Sequence, residues 1–274
     1  MPSSINEFIG YSIQATDGEI GTIRDFLFDD EAMSIRHIVV RSGSWLAHRD
    51  LLISPISIEA VITDEKTIAV ALTKRQIESS PDIETGKTVS RQMEAAIFDH
   101  YNWPYYWGGS SAWGMPTYPG LMATSQNIGQ GRQYALQSEL QKTGKDLRES
   151  DVHLRSVKEI LGYRIKGSDK PFGRIDDIFV DAATWHMRYL VLNLDGRLIP
   201  EATLIPIECV KSISWADREF HLSRTEGDVQ NAPQLRSRHP LNREAEKEIY
   251  EYYGRSGYWE NGPTPKDGHI RRIS

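Results

Sequence analysis

Phe8-Ile9-Gly10-Tyr11-Ser12-Ile13 returns 152 residues later as Ile160-Leu161-Gly162-Tyr163-Arg164-Ile165. Carried forward without a gap, residues 8–40 and 160–192 are identical at ten of 33 positions: Gly10/Gly162, Tyr11/Tyr163, Ile13/Ile165, Asp17/Asp169, Gly21/Gly173, Ile23/Ile175, Asp25/Asp177, Asp29/Asp181, Arg36/Arg188 and Val39/Val191. Most mismatches exchange one apolar residue for another, as Ile38/Leu190 does. The offset slips by one at Pro55/Pro206 and by another at Leu72/Leu222, as short loop deletions would make it. It is 152 again at Arg91/Arg243, Glu94/Glu246, Ile97/Ile249, Tyr101/Tyr253, Tyr106/Tyr258 and Trp107/Trp259. Two copies of about a hundred residues are each the size of a domain rather than of a solenoid unit.

Inside a copy the period is two. Ser34–Arg41 and its counterpart His186–Asn193 are short apolar, β-branched runs, and Glu19–Asp29 is apolar on both faces, as in a strand covered on both sides of a small closed sheet. Thr16-Asp17-Gly18-Glu19 supplies a hairpin turn, and 57–63 with 67–72 reads as a further hairpin around Asp64-Glu65-Lys66. One helix follows in each copy. Thr88 is placed to cap the first, whose apolar stripe is Val89, Met93, Ala96, Ile97 and Tyr101. In the second, Leu241, Ala245, Ile249 and Tyr252 repeat the stripe, with Arg243, Glu244, Glu246, Lys247 and Glu251 facing away. The expected fold is mainly β: two tandem small β-barrel domains, each followed by a C-terminal helix and an aromatic segment. The boundaries are 1–107 for the first domain, 108–150 for a Gly-, Pro- and Ser-rich linker with a short helix in 132–148, 151–259 for the second domain, and 260–274 for a flexible tail. Each domain carries its own strands and helix and is expected to fold alone.

Composition narrows the function. Lys and Arg number 32 against 38 Asp and Glu, a net charge of −6, which argues against a general nucleic-acid binder. The charge is concentrated: residues 1–100 hold 9 basic and 16 acidic groups, a net of −7. A lone cysteine, Cys209, excludes an intramolecular disulfide. The N-terminal residues lack the basic region and apolar run of a secretory signal, and the longest stretch without Asp, Glu, Lys or Arg, 100–131, holds three prolines and six glycines. The expectation is a cytoplasmic chain that does not insert into a membrane.

Motifs for chemistry are missing. The eight histidines show no metal spacing, and none is matched by a histidine in the other copy: His37 faces Tyr189 and His186 faces Ser34. No metal and no cofactor is expected. The repeated polar set is Asp17, Asp25, Asp29 and Arg36 with Asp169, Asp177, Asp181 and Arg188. It reads either as a carboxylate site for a hydrolase or as structure, with Asp17 and Asp29 in turns or at strand ends and Asp25 with Arg36 tying neighbouring strands. No base or nucleophile accompanies these groups, which favours structure. Gly10, Gly21, Gly162 and Gly173 join the structural repeat. Gly21 and Gly173 stand inside an apolar strand, the mark of a bulge or close backbone approach.

The other repeated feature is aromatic. Tyr101, Trp103, Tyr105, Tyr106 and Trp107 follow the first helix; Tyr253, Tyr258 and Trp259 follow the second. These rings either cover their own barrels or form an interface, and their density, with Trp113 and Tyr118 close behind, argues for at least a homodimer.

The pattern apolar-Gly-Tyr-x-Ile, then Asp, Gly-x-Ile-x-Asp, an Asp-ended strand and Arg-x-apolar-Val-apolar resembles the PRC-barrel domain, named after the cytoplasmic barrel of the photosynthetic reaction centre H subunit. The resemblance covers roughly 5–107 and 153–259, and the whole arrangement is similar to bacterial two-barrel proteins without a settled activity. It implies a small β-barrel and, from other members, a regulatory or assembly role beside a reaction centre or a module that docks on a ribosomal protein. The expected function is therefore a non-catalytic protein-interaction or assembly module with an unknown protein partner. An accessory factor of a photosynthetic or other membrane-associated complex is the alternative, and a hydrolase using the repeated aspartates is a distant one.

Overall fold

The structure is a computed structural model; it describes residues 2–81, 89–107, 113, 119, 154–194, 202–235, 241–260 and 271–273. The helix expected in 132–148, Tyr118 and most of the linker lie outside these residues.

The chain is mainly β. In the first half, β2 (Ser12–Ala15), β3 (Gly18–Asp29), β4 (Ser34–Ser42) and β5 (Asp50–Ile53) form an antiparallel meander. The hairpin of β6 (Ile58–Ile62) and β7 (Thr67–Val70) joins β2 through a parallel pairing of β7. The strand order is β5-β4-β3-β2-β7-β6, and β5 and β6 do not pair with each other among the described residues. The second half repeats this with β9 (Arg164–Lys166), β10 (Pro171–Asp181), β11 (His186–Leu194), β12 (Ala202–Pro206), β13 (Val210–Ser214) and β14 (Glu219–Leu222). Short helices α1 (Lys74–Glu78) and α4 (Glu226–Gln230) and ten-residue helices α2 (Arg91–His100) and α5 (Arg243–Tyr252) complete the two halves.

The repeat has no slip. Val70 pairs with Ile58 and Leu222 with Val210, and the amide of Ala71 donates to Ser57 O at 2.8 Å as that of Ser223 does to Cys209 O. All stand 152 apart, so the deletions read at Pro55/Pro206 and Leu72/Leu222 are chance matches of common residues. The true offset also aligns Thr73 with Thr225, each the cap of a capping box on α1 and α4.

The second difference is the boundary between the halves. β1 (Pro2–Ser4) does not pair within its own half; it lies antiparallel on β10, Pro2 opposite Asp181. Its counterpart β8 (Leu154–Ser156), which leads into α3 (Val157–Ile160), lies on β3, with Leu154 opposite Asp29. The leading strands are exchanged. Between them β4 meets β11 at Ser34 and His186, themselves 152 apart. Ile35 N donates to Trp185 O and Met187 N to Met33 O, both at 2.8 Å. These are equivalent bonds about a pseudo-two-fold axis, and they make one sheet of the two halves. The buried apolar residues form a single cluster. Trp185 enters the first half's ring group, 6.0 Å from Phe8 and 6.1 Å from Phe26 between centroids. A cut at 107 or 151 therefore crosses a shared sheet and core. Of the tail expected to be flexible, 261–270 lie outside the described residues, while Arg271–Ile273 form β16, parallel to β13, whose edge offers backbone groups to pair.

The glycines behave as the strand reading implies. A Cβ on Gly21 would stand 2.0 Å from Arg41 O, and on Gly173 2.7 Å from Asn193 O. Gly10 and Gly162 hold φ of +87° and +85°, the left-handed turn before β2 and β9.

Candidate functional site

The repeated charged residues fall into two groups. The first is a clasp across the pseudo-axis. Ser156 Oγ donates to Asp25 Oδ2 at 2.5 Å, and the amide of Lys158 donates to Asp25 Oδ1 at 3.1 Å. Ser4 Oγ donates to Asp177 Oδ2 at 2.5 Å, and the amide of Asn6 to Asp177 Oδ1 at 3.4 Å. Each serine also accepts from the amide three residues on, at Glu7 or Glu159, so it caps the turn after the exchanged strand. Asp25 and Asp177 thus hold the other half's leading strand. Asp25 does not share a tie with Arg36, as the sequence reading paired them. Asp17 and Asp169 are also spent on backbone, accepting from the amides that open α1 and α4, Lys74 N at 2.8 Å and Glu226 N at 3.2 Å.

The second group is a buried polar cluster in each half. Arg36, fully buried, donates to Asp29 Oδ2 at 3.0 Å, while Asp29 Oδ1 accepts the amides of Glu31 and Ala32. The guanidinium of Arg36 lies 3.8 Å from the Tyr106 ring centroid. Tyr106 Oη donates to Glu94 Oε1 at 2.7 Å, and Arg91 Nη1 donates to Glu94 Oε2 at 2.7 Å and to Tyr106 Oη at 2.8 Å. His37 Nε2 completes it, 3.1 Å from Glu94 Oε1. The second half rebuilds this. Arg188 reaches Asp181 at 3.4 Å and lies 3.8 Å from the Tyr258 centroid, while Tyr258 and Tyr189 donate to Glu246 Oε1 at 2.9 and 3.0 Å. The His37/Tyr189 mismatch, counted among the missing motifs for chemistry, sets a different side chain against the equivalent glutamate of each half.

The helices consequently bury a polar face. α2 is capped by Ser90, not Thr88, and buries Arg91 and Glu94 beside Ile97 and Phe98, while Ala96 of the expected stripe is exposed. In α5, Ile249 is buried and Glu244, Lys247 and Glu251 are exposed as expected, but Glu246, expected to face away, is buried, Tyr252 of the stripe is exposed, and Tyr250 is buried in its place. Apolar periodicity could not show this, because a buried carboxylate is tolerated only where cations and hydroxyls from other elements meet it.

The halves differ electrostatically. Burial disfavours the charge on Asp29, but Arg36 and Arg91 outweigh it and hold the carboxyl down at about 2. Burial likewise opposes ionisation of Glu94, and Arg91 with His37 overcomes it, so its pKa lies below the usual range. For Glu246 burial wins over Arg243 and Tyr258 and the pKa is raised. Arg91 is 6% exposed and hydrogen-bonds its glutamate; Arg243 is 42% exposed and contacts Glu246 at 2.9 Å without hydrogen-bond alignment.

The aromatic interface candidates are largely covered within the chain. Trp103, Tyr105, Tyr106, Trp107 and Tyr253 are buried, and Tyr101, Tyr258 and Trp259 half-buried. Phe98 of α2 lies within 6.3 Å, centroid to centroid, of four of them. Trp113, in the linker, is buried 4.9 Å from Arg36 and its Nε1 donates to Thr184 O at 2.6 Å. The first half does have room for these rings, so their number does not require a second subunit.

A family model for the PRC-barrel domain matches residues 3–77, from β1 into α1. Residues 3–77 are a PRC-barrel domain. No match was found among curated proteins. The PRC-barrel span contains the clasp residue Asp25 and the Asp29–Arg36–His37 side of the cluster; α2 and its aromatic segment, which close the cluster, follow it in the chain. No described helix is long and apolar enough to cross a membrane, and no group of three or more His, Cys, Asp or Glu is placed to hold a metal among the described residues.

Proposed function

We propose that the chain is a non-catalytic interaction or assembly module built from two PRC-barrels, the second at 151–259. The observation that carries this reading is the employment of the repeated charges. Asp17, Asp25, Asp29 and Arg36, and their counterparts 152 residues later, each make the same kind of internal bond in both halves. Groups committed to holding strands and helices are poorly placed to act as acids, bases or nucleophiles. A rigid twofold scaffold suits the display of surface to a partner. The finer reading, an accessory factor beside a membrane-associated complex, rests on the family resemblance alone.

The test is affinity capture with the full chain from its native host, with and without membranes, read by mass spectrometry. A stoichiometric protein partner is expected. Turnover of an ester, amide or phosphoester panel that disappears in Asp25→Asn while the melting temperature holds would replace the module by a hydrolase.

A further inference from the structure

Among the described residues the halves differ at the β5/β12 edge, where Gln234–Leu235 pair with β12, and at the β6/β13 edge. In the second half, β13 is covered by β16, with Ser212, Ile213 and Ser214 opposite Arg271, Arg272 and Ile273. The equivalent residues of β6 are Ala60, Val61 and Ile62, and β6 has only β7 as a strand partner among the described residues. Exposure follows pairing: Ser214 is fully buried, whereas Ile62 is 36% exposed, one of three large apolar residues in the described chain that stand out to solvent. At the offset that aligns the halves, 271–273 corresponds to Pro119-Gly120-Leu121, and a Pro-Gly pair is a turn former with one backbone donor missing. Among the described residues, the first half has no counterpart of the strand that pairs with β13 in the second.

We propose that β6 is a docking edge for an extended basic-apolar segment of a partner protein, added parallel to the strand as β16 is to β13. Such an edge offers a row of backbone donors and acceptors, and side-chain chemistry then selects the occupant. Exposed Glu59 lies on β6 and exposed Asp64 and Glu65 follow it, against the single cation Lys66. On β13 the position of Glu59 is Lys211. A segment of the Arg-Arg-Ile kind is held on the less acidic edge already, and β6 complements it better. Pairing of β6 with the β6 of a second copy would set these acids against each other. The proposal rests on the interaction-module reading and names one surface and partner chemistry for it.

The test uses the full chain and a labelled peptide with the sequence of residues 268–274, Gly-His-Ile-Arg-Arg-Ile-Ser. Saturable binding is expected, weakened about tenfold or more by Ile62→Lys and by Glu59→Lys at unchanged melting temperature, and insensitive to Ser212→Pro on β13. Binding abolished by Ser212→Pro but not by the β6 variants would mean that the peptide exchanges with the chain's own tail, and overturns the proposal. So would absence of binding, or a tail-mediated dimer in light scattering that places a second copy on β6. Partner capture unaffected by Ile62→Lys would leave the module reading in place and move its surface elsewhere.

Discussion

Glu94 and Glu246 occupy one position in two copies of a cluster, yet burial wins at one and its partners win at the other. A carboxyl whose folded pKa is depressed stabilises the fold above its unfolded pKa, near 4.3 for glutamate, and that contribution is lost as pH falls through the folded value. Glu94 is in this class, and so is Asp29, whose contribution fades from about pH 4 towards its folded value of about 2. Glu246 has the opposite sign: its raised folded pKa favours the neutral acid, a contribution complete below the unfolded pKa and lost as pH rises. Glu94→Gln should cost about 3 kcal/mol at pH 7, the scale of a broken buried ion pair, and less near pH 3. Glu246→Gln should be near neutral or stabilising at pH 7. Urea melts across pH would settle this; equal losses in the two variants would show that the halves titrate alike. Gly21 is argued at the same scale. A Cβ 2.0 Å from a carbonyl oxygen forces β3 and β4 apart, so Gly21→Val should lower the melting temperature by more than Gly173→Val, where the approach is 2.7 Å. A Gly21→Val chain as stable as the parent would contradict the close approach.

At the scale of elements, the exchanged strands are short, three residues each, and backbone pairing alone would hold them weakly. The Ser–Asp clasps supply what length does not, each a charge-assisted bond of about 1.5–3 kcal/mol. Asp177 is buried and Asp25 half-buried, so Asp177→Asn should cost more stability than Asp25→Asn. Hydrogen exchange offers a local readout: Asp177→Asn should deprotect β1 and Asp25→Asn β8, each in the half that did not change. Deprotection confined to the mutated half would mean the clasps do not bind the strands. Much of this level was legible from sequence, because strands, the second hairpin and both long helices follow from period and β-branching. The buried faces of α2 and α5 were not, since Glu246 reads as facing away and Arg91 and Glu94 stand off the apolar stripe until Tyr106, Tyr258 and His37 arrive from elsewhere in the chain.

At the scale of the whole molecule, one chain reproduces the symmetry of a homodimer in which each subunit lends its first strand to the other. A fragment of residues 1–107 keeps β1 but has no β10 to receive it, and its β3 edge lacks β8. A second copy of the fragment satisfies both. Expressed alone, 1–107 should melt cooperatively only as a dimer, with a melting temperature that rises with protein concentration; light scattering and calorimetry would check it. A stable monomeric fragment would show that the exchange is dispensable.

The residue order by itself determined the internal similarity at an offset of 152, the β class, the placement of the longer strands and the glycines that let them approach, because these depend on neighbours within a few positions and on a pattern that can be aligned. It also singled out the aspartates, though not their partners. Which half each leading strand joins, which glutamate faces the core and which sheet edge the strand at 271–273 joins were decided only by tertiary structure. Each depends on groups more than a hundred residues apart, or on cations and rings from other elements that must converge before a buried charge becomes tolerable.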